Sequence, residues 1–323
     1  MKAILYSQYG SPDVLRCEEI EKPTPAADEA LIKVRAASIN PLDWRLMKGR
    51  PYVFRLLGGL RRPKLTRPGV DVAGLVEAVG GSVTRFKPGD GVFGSCRGAL
   101  AEYACASESK LAARPDNVTF EQAASAPVAA LTALQGLRDK GKIKPGQKVL
   151  INGAAGGVGT FAVQIARSFG AEVTGVCSTK NLEMVRSIGA DHVIDYTQEN
   201  FTKRGERYDM IFDCVENHSL SARRRILNPN GVCVMVGAPH DRGWIIFLAR
   251  LIKAPVVSRF SSQKIVMFIA RSNTKDLATI GELMATGRVR AVIDRSYALS
   301  EAADALRYLE KWHARGKVIV TVG

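Results

Sequence analysis

The chain has 323 residues, 46% of them hydrophobic, so it is too long for one ordinary hydrophobic core and suited to two. Lysine and arginine outnumber aspartate and glutamate by 46 to 31, and this excess of positive charge favours an anionic partner: a phosphorylated cofactor, nucleic acid or a membrane surface. The sequence has no run of eighteen apolar residues and no secretory signal pattern, which argues against a membrane-spanning helix and predicts a cytoplasmic location.

The first part of the chain, up to about residue 120, alternates short apolar runs with turns rich in proline and glycine. Residues 30–34 and 72–76 are examples of the apolar runs, and the K-P-G-D-G turn at 87–91 is typical of the connections. This pattern predicts a compact β domain with tight turns.

From about residue 122 to 257, predicted strands alternate with predicted helices, which indicates a parallel sheet with helices on both faces. The expected strands are 148–152, 172–177, 193–196, 208–215 and 232–237, and the expected helices are 157–169, 182–188 and 220–227. The tail is expected to add helices at 276–286 and 300–312 and strands at 292–293 and 318–322, and to fold back on the first domain. We therefore predict one domain from residues 1–122 and 262–323 and a second from residues 123–261.

Three glycines follow the strand 148–152 in the stretch N-G-A-A-G-G-V-G at 152–159. We expect Gly153 to adopt a positive φ, Gly156 to let a pyrophosphate approach the backbone, and Gly159 to allow close packing of the next helix. The N-terminus of that helix would face the anion with unpaired N–H groups. The turn residues Ala155, Gly157 and Val158 are expected to contact the same group.

The end of the strand 172–177 bears on the choice between NAD and NADP. An enzyme that selects NAD usually has a carboxylate there for the ribose 2′-hydroxyl, but this sequence continues with Ser178, Thr179 and Lys180. Two hydroxyls and a lysine suit a 2′-phosphate, so we predict NADPH as the cofactor. The alternative is that Ser178 and Thr179 cap the following helix.

Several further stretches, in this order, resemble the medium-chain dehydrogenase/reductase superfamily. They are A-A-S-I-N-P-L-D at 36–43, P-G-V-D-V-A-G at 68–74, F-K-P-G-D-G at 86–91, A-P-V-A-A-L-T-A-L at 126–134 and R-G-K-V at 315–318. The chain is most similar to the zinc-independent quinone oxidoreductase (zeta-crystallin-like) branch. The resemblance implies an α/β protein: a Rossmann doubly wound parallel sheet, and a GroES-like β-rich catalytic domain split in sequence, with the active site in the cleft between them.

The positions that match the catalytic zinc ligands of related alcohol dehydrogenases are Asn40, Val70 and Val128. Valine has no donor atom for zinc, so we expect no metal. Without a Lewis acid, hydride transfer favours acceptors that delocalise the arriving charge, namely quinones and α,β-unsaturated carbonyls. An NAD(P)-dependent alcohol or aldehyde dehydrogenase is one alternative. An RNA-binding zeta-crystallin-like protein is another, although the chain has no recognisable RNA-recognition motif and nucleic acid is not the expected partner.

By resemblance, Asn40 would lie beside the nicotinamide ribose and the substrate. Thr132 would contact the nicotinamide ring through its hydroxyl, or would bond its own helix backbone. Asp43 would support this pocket through hydrogen bonds, or would simply be an acid in the turn after Pro41. Tyr52 would hydrogen-bond the acceptor carbonyl or pass a proton, or would pack as a partly buried ring.

Further cofactor contacts are expected where strands end at the carboxyl edge of the sheet. Val215, Val236 and Gly237 occupy such ends. Tyr196 and Lys317 are weaker candidates for contacts to the adenosine phosphate or the pyrophosphate.

The resemblance also implies a homodimer formed through the edge of the Rossmann sheet. Residues 50–67 and 244–257 combine apolar and basic side chains, which could attach them to an anionic membrane surface. We favour the alternative that both segments form a substrate-cleft wall and a dimer interface.

Overall fold

The structure is a computed structural model that describes residues 1–50, 52, 55, 59–64, 66–236 and 262–323. Its strands, in chain order, are β1 (Lys2–Leu5), β2 (Arg16–Glu19), β3 (Glu29–Ile39), β4 (Asp71–Val79), β5 (Gly91–Ser95), β6 (Tyr103–Ser107), β7 (Leu111–Ala113), β8 (Lys148–Asn152), β9 (Glu172–Cys177), β10 (His192–Asp195), β11 (Tyr208–Asp213), β12 (Leu227–Met235), β13 (Lys264–Met267), β14 (Ile293–Ala298) and β15 (Lys317–Thr321). Its helices are α1 (Pro41–Lys48), α2 (Phe120–Ala124), α3 (Pro127–Gln135), α4 (Gly157–Ser168), α5 (Leu182–Ser187), α6 (Leu220–Arg225), α7 (Thr274–Ala285) and α8 (Ala302–Glu310).

The described chain divides into two compact units. The first unit contains Met1–Val128, Ser272–Gly287 and Ala291–Gly323, and the second contains Ala129–Arg271 and Arg288–Arg290. Among the described residues, none of the helices is long and apolar enough to cross a membrane.

The second unit is built on a six-stranded parallel sheet with the order β10-β9-β8-β11-β12-β13. The chain adds β9 and β10 on one side of β8, and then returns to add β11, β12 and β13 on its other side. This is the doubly wound arrangement of dinucleotide-binding folds. Its central strands are almost entirely buried and mostly apolar, because helices cover both faces of such a sheet. The predicted Rossmann fold is confirmed.

The first unit contains a seven-stranded, mostly antiparallel sheet with the order β14-β15-β3-β4-β5-β7, in which β6 also pairs with β3. The last strand of the chain, β15, lies antiparallel to β3, so the C-terminal segment completes a sheet that begins near the N-terminus. This arrangement is the β-rich domain, split in sequence, that the resemblance implies.

Several element bounds differ from the prediction, for example the strand expected at 292–293, which runs over Ile293–Ala298, and the helix expected at 300–312, which runs over Ala302–Glu310. The strand expected at 208–215 ends at Asp213, because the Asp213 carboxylate accepts hydrogen bonds from the backbone N–H groups of Val215 and Glu216 and turns the chain out of the sheet. Strand β13 was not predicted, because its short apolar run lies in a segment interrupted by basic residues and proline.

Candidate functional site

The glycine turn of the second unit joins β8 to α4. Gly153 has φ of +85°, which confirms the predicted left-handed conformation, and its N–H donates to the carbonyl of Val176 on β9. A Cβ on Gly159 would collide with the backbone oxygen of Gly153, so the predicted close packing of helix on turn is also confirmed. The turn is therefore held against two strands with no room for side chains at these positions.

Gly156 has a different environment from Gly153 and Gly159. It precedes α4 with φ of −83°, and a Cβ built there would meet only the Gly153 oxygen, at 3.5 Å. The space in front of Gly156 thus stays open at the N-terminus of a twelve-residue helix, where N–H groups have no intrahelical acceptor. This open cradle fits a pyrophosphate, with Ala155, Gly157 and Val158 beside it.

Two neighbouring parallel strands end beside each other at the carboxyl edge of the same sheet. Register places Asp195 of β10 opposite Cys177 of β9, and the Tyr196 N–H donates to the Cys177 carbonyl at 3.0 Å. The hydroxyl of Thr179, which follows β9, donates to a carboxylate oxygen of Asp195 at 2.5 Å. The Tyr196 side chain is 55% exposed at this edge.

The structure does not bear out the alternative that Ser178 and Thr179 cap the next helix. Neither Ser178, before the turn Thr179–Asn181, nor Asn181, before α5, makes a side-chain capping hydrogen bond. The Ser178 hydroxyl instead accepts a hydrogen bond from the Asn181 side chain at 3.1 Å. Ser178, Thr179 and Lys180 therefore lie at the strand edge where an adenosine ribose would bind, and their contact with it stays a prediction.

Asp213 organises the loop that carries Val215. Its carboxylate binds the Arg223 guanidinium at 2.5 Å, with both side chains almost completely buried, and accepts the Asn152 amide at 2.8 Å. Val215 lies against Gly153, since a Cβ there would meet its methyl group at 2.7 Å. The backbone N–H of Val236 donates to the Asp213 carbonyl, so both predicted residues sit at one sheet edge.

The structure gives little or no information on the remaining predicted positions. Thr132 is half-buried on α3 in the second unit. Gly237 and the segment 244–257 lie outside the described residues.

The first unit contains a buried polar network centred on Asp71, which is fully buried at the start of β4. One carboxylate oxygen accepts hydrogen bonds from the Ser38 hydroxyl at 2.8 Å and the Asn40 amide at 2.9 Å. The other accepts the backbone N–H of Val128 at 3.0 Å. The Lys317 ammonium group lies 3.5 Å from Asp71, so a cation and an anion are buried together.

Lys317 also binds Asn40 directly. Its Nζ atom donates to the Asn40 side-chain oxygen at 2.6 Å, and only 3% of the residue is exposed. Burial lowers the pKa of Lys317, while the negative charges of Asp71 and Asp43 oppose that shift. Lys317 is thus found beside Asn40 in the buried network of the first unit, and its contact with the adenosine phosphate or the pyrophosphate stays a prediction.

Asp43, the third residue of α1, is 3% exposed and joins this region through the backbone. Its carboxylate accepts the N–H groups of Asn40 at 2.7 Å and Gly69 at 3.2 Å. Burial raises the pKa of Asp43 to about 7, and the charge of Asp71 adds to this shift, whereas the two backbone N–H groups and Lys317 oppose it. Asp43 therefore caps the N-terminus of α1 by accepting the backbone N–H of Asn40, the residue before the helix.

Tyr52 stands apart from the buried network. It is 61% exposed, and its ring lies 5.0 Å from the Arg55 guanidinium. Within the described part of the chain, no hydrogen bond joins Tyr52 to Asn40, Asp43 or Asp71. The partly buried packing position expected as one alternative is not observed.

Comparison with known proteins places these two units in one family. Residues 26–116 match the model of the alcohol dehydrogenase GroES-like domain, and residues 188–320 match that of the zinc-binding dehydrogenase. The chain is 34% identical to the chloroplast envelope quinone oxidoreductase homolog of Arabidopsis thaliana, over 99% of this chain and 98% of that protein. The chain belongs to the medium-chain dehydrogenase/reductase superfamily, in its quinone oxidoreductase-like branch.

Two further relatives illustrate the branch. The chain is 36% identical to the chloroplastic NADPH-dependent alkenal/one oxidoreductase of Arabidopsis thaliana, over 99% of this chain and 79% of that protein. The structure of the quinone oxidoreductase from Coxiella burnetii superposes with a TM-score of 0.86 at 31% identity, covering 100% of this chain and 99% of that one. Membership in this superfamily makes the chain an oxidoreductase that uses a nicotinamide cofactor.

Sequence reasoning missed several carboxylates of this oxidoreductase, among them Asp71 and Asp195. Asp71 is the single charged residue in the apolar run V-D-V-A-G, and Asp195 ends the run H-V-I-D. A lone acid inside or at the end of a buried strand is a signal that could have identified both, because such a group requires partners.

The open space at Gly156 leads to a binding prediction. Gly156→Ala is expected to leave the free energy of unfolding within about 0.5 kcal/mol of the wild type, because the backbone conformation is ordinary and the added Cβ meets no close neighbour. It should weaken NADPH binding about tenfold by occupying the pyrophosphate space, as measured by cofactor fluorescence titration. Gly81→Ala, at another open glycine, is the control; equal affinities in both variants would contradict the prediction.

The raised pKa of Asp43 leads to a prediction about stability and pH. Since the folded state binds this proton more tightly than the unfolded state, its stabilising contribution is full below pH 4 and is lost as the pH rises towards 7. Asp43→Asn should remove about 2 kcal/mol of the fall in the free energy of unfolding between pH 5 and pH 7. Urea denaturation at both pH values measures this.

The control for this measurement is Glu21→Gln, an acid-to-amide change at an exposed position of the first unit. It should retain the wild-type slope. A slope in Asp43→Asn equal to that of the wild type would show that Asp43 does not titrate in this range.

Proposed function

We propose that the protein is a zinc-independent, NADPH-dependent reductase that transfers hydride to a quinone or an α,β-unsaturated carbonyl. The observation that carries the proposal is the buried network of Lys317, Asn40 and Asp71, which holds an internal cation where related alcohol dehydrogenases hold zinc ligands. The names of the relatives, quinone oxidoreductases and an NADPH-dependent alkenal/one oxidoreductase, support the same chemistry.

The side chains at the positions of the zinc ligands do not fit a zinc ion. Val70 and Val128 offer no donor atom, and the Asn40 oxygen is already engaged by the Lys317 ammonium group at 2.6 Å. Among the described residues, no group of three or more histidine, cysteine, aspartate or glutamate side chains is arranged to hold a metal. The network thus takes the place of the metal in the electrostatics of this region.

The proposed role of Asn40 is to stabilise negative charge on the acceptor. Its amide oxygen accepts from Lys317 and one N–H donates to Asp71, which fixes the plane of the amide. In this proposal the second N–H donates to the acceptor oxygen, and the neighbouring ammonium group polarises it. NADPH, when bound, would supply the hydride, and the family resemblance implies that Asn40 contacts its nicotinamide ribose.

A single amide donor is adequate only for an acceptor that spreads its own charge. Hydride addition to an enone gives an enolate, and addition to a quinone gives a hydroquinone anion, and both delocalise the electrons before a proton arrives. A saturated aldehyde gives a localised alkoxide, for which a Lewis acid is a stronger stabiliser. The donor set therefore favours conjugated acceptors.

The cofactor half of the proposal depends on the second unit. The glycine turn has the cradle that a pyrophosphate needs, and the edge beyond β9 offers the hydroxyls of Ser178 and Thr179 and the charge of Lys180. These groups favour a cofactor that carries a 2′-phosphate.

We also propose a homodimer through the edge of the parallel sheet. In the described sheet β13 stands last in the strand order, next to β12, and Ile269 just beyond it is 91% exposed. An exposed apolar side chain at this end of the sheet favours contact with a second copy.

The substrate class is tested by following NADPH oxidation with simple quinones, alkenals and saturated aldehydes. We expect turnover with the first two classes and none with saturated aldehydes, and we expect the rate to be unchanged after treatment with a chelator. Turnover of saturated aldehydes alone, or loss of activity on chelation, would refute the proposal.

The role of Asn40 is tested by Asn40→Ala. The rate of hydride transfer in single turnover should fall about 10²-fold, the usual effect of removing one donor to a developing oxyanion. Affinity for 2′,5′-ADP, the adenosine half of the cofactor, should not change because its expected site lies in the second unit. Asn117→Ala, which removes an asparagine bonded to a surface carbonyl in the first unit, is the matched control. A rate in Asn40→Ala within threefold of that control would exclude the role.

A further inference from the structure

The carboxylate of Asp195 lies at the sheet edge where we expect the 2′-hydroxyl or the 2′-phosphate of the adenosine ribose of a nicotinamide cofactor. Strands β9 and β10 are parallel neighbours, and their register sets Asp195 opposite Cys177, two residues before Thr179. The Thr179 hydroxyl donates to Asp195 at 2.5 Å. An acid that is absent from the end of β9 is therefore supplied by the adjacent strand.

Counting protons shows what this contact does to Thr179. A hydroxyl has one proton, and Thr179 gives its proton to Asp195. The other carboxylate oxygen of Asp195 lies 2.7 Å from the Thr197 hydroxyl and accepts the Thr197 N–H at 2.9 Å. The Thr197 hydroxyl is also 2.9 Å from the Thr179 hydroxyl, so its one proton goes to Asp195 or to Thr179. Thr179 is thus left with lone pairs, which accept hydrogen bonds and do not donate them.

The charge state of Asp195 is fixed by the same contacts. The hydroxyl of Thr179 lowers the pKa of Asp195, and the hydroxyl and N–H of Thr197 add to the shift, while burial opposes it. The carboxylate is therefore ionised at neutral pH. A phosphate placed here meets a negative charge and a hydroxyl without a proton to give, whereas a ribose 2′-hydroxyl meets acceptors that suit its own proton.

We propose that Asp195 is a specificity-determining residue that limits the preference of this site for a 2′-phosphate over a 2′-hydroxyl. Lys180 and the Ser178 hydroxyl favour the phosphate, and Asp195 opposes them by its charge and by holding the Thr179 proton. Both NADPH and NADH then bind, with a preference smaller than the lysine and the hydroxyls alone would give. This inference rests on the proposed function in one respect: it takes the nucleotide to bind at this sheet edge.

Two substitutions separate the two effects of Asp195. Asp195→Asn keeps the shape and an acceptor oxygen for Thr179 and removes the charge. Asp195→Ala removes both and releases the Thr179 proton from the carboxylate, with the Thr197 hydroxyl 2.9 Å away as its neighbour. Glu183→Gln is the matched control, because it removes one negative charge from an exposed position on α5, the next helix.

The measurement is the dissociation constant of 2′,5′-ADP and of 5′-AMP for each protein, by calorimetry at low salt. Neither probe needs a reducible substrate. We expect the preference for 2′,5′-ADP over 5′-AMP to rise about five- to tenfold in Asp195→Asn and at least as much in Asp195→Ala. Glu183→Gln should stay within twofold of the wild type, and the gain in Asp195→Asn should shrink at high salt.

Three outcomes overturn the proposal: an unchanged preference in both Asp195 variants, an equal rise in Glu183→Gln, or a parallel loss of affinity for both probes. The last outcome would mean that Asp195 only holds the turn after β9 in place. If the wild type binds neither probe, the proposed cofactor site itself fails. If both probes bind and the preference does not move, only the role of Asp195 fails.

Discussion

The first unit depends on the contacts of the buried Lys317 ammonium group with Asn40 and Asp71. Lys317 begins the last strand, Asn40 precedes α1 and Asp71 begins β4, so one cation joins three segments that are distant in sequence. Removing one partner from a buried pair of this kind typically costs about 3 to 5 kcal/mol, because the remaining charge is left without compensation. The same contacts that close the sheet also fix the amide of Asn40.

This network links stability to chemistry. A site that stabilises a developing negative charge requires donors that are held in place before the reaction starts. In this chain the restraint on Asn40 comes from Lys317 on one side, Asp71 on the other, and the Asp43 carboxylate at its backbone. An internal cation with these partners provides a fixed electrostatic environment. In the proposed mechanism it acts on the acceptor only through one amide N–H of Asn40. A single donor of this kind is adequate for an acceptor that delocalises its own charge, which is why we expect conjugated acceptors.

In the second unit the glycine turn depends on backbone geometry, whereas the first unit depends on a buried charge. The glycine turn fits only because Gly153 and Gly159 have no side chains where the turn, the helix and the loop after β11 come close. The carboxyl ends of the parallel strands bring side chains from separate strands to one edge. Asp213 and Asp195 act at this edge in related ways. Asp213 holds the loop after β11 through two backbone N–H groups, and Asp195 holds the residues after β9 and β10 through hydroxyls.

The sequence by itself determined the local features. The alternation of apolar runs predicted the parallel sheet, the spacing of Gly153, Gly156 and Gly159 predicted the turn, and the valines at 70 and 128 argued against a metal, because each of these depends on the type and spacing of nearby residues. Only the tertiary structure decided which distant polar groups meet. Lys317 and Asn40 are 277 residues apart, and Thr179 meets Asp195 through the register of two strands. Such pairings follow from sheet order and packing, which no local pattern specifies.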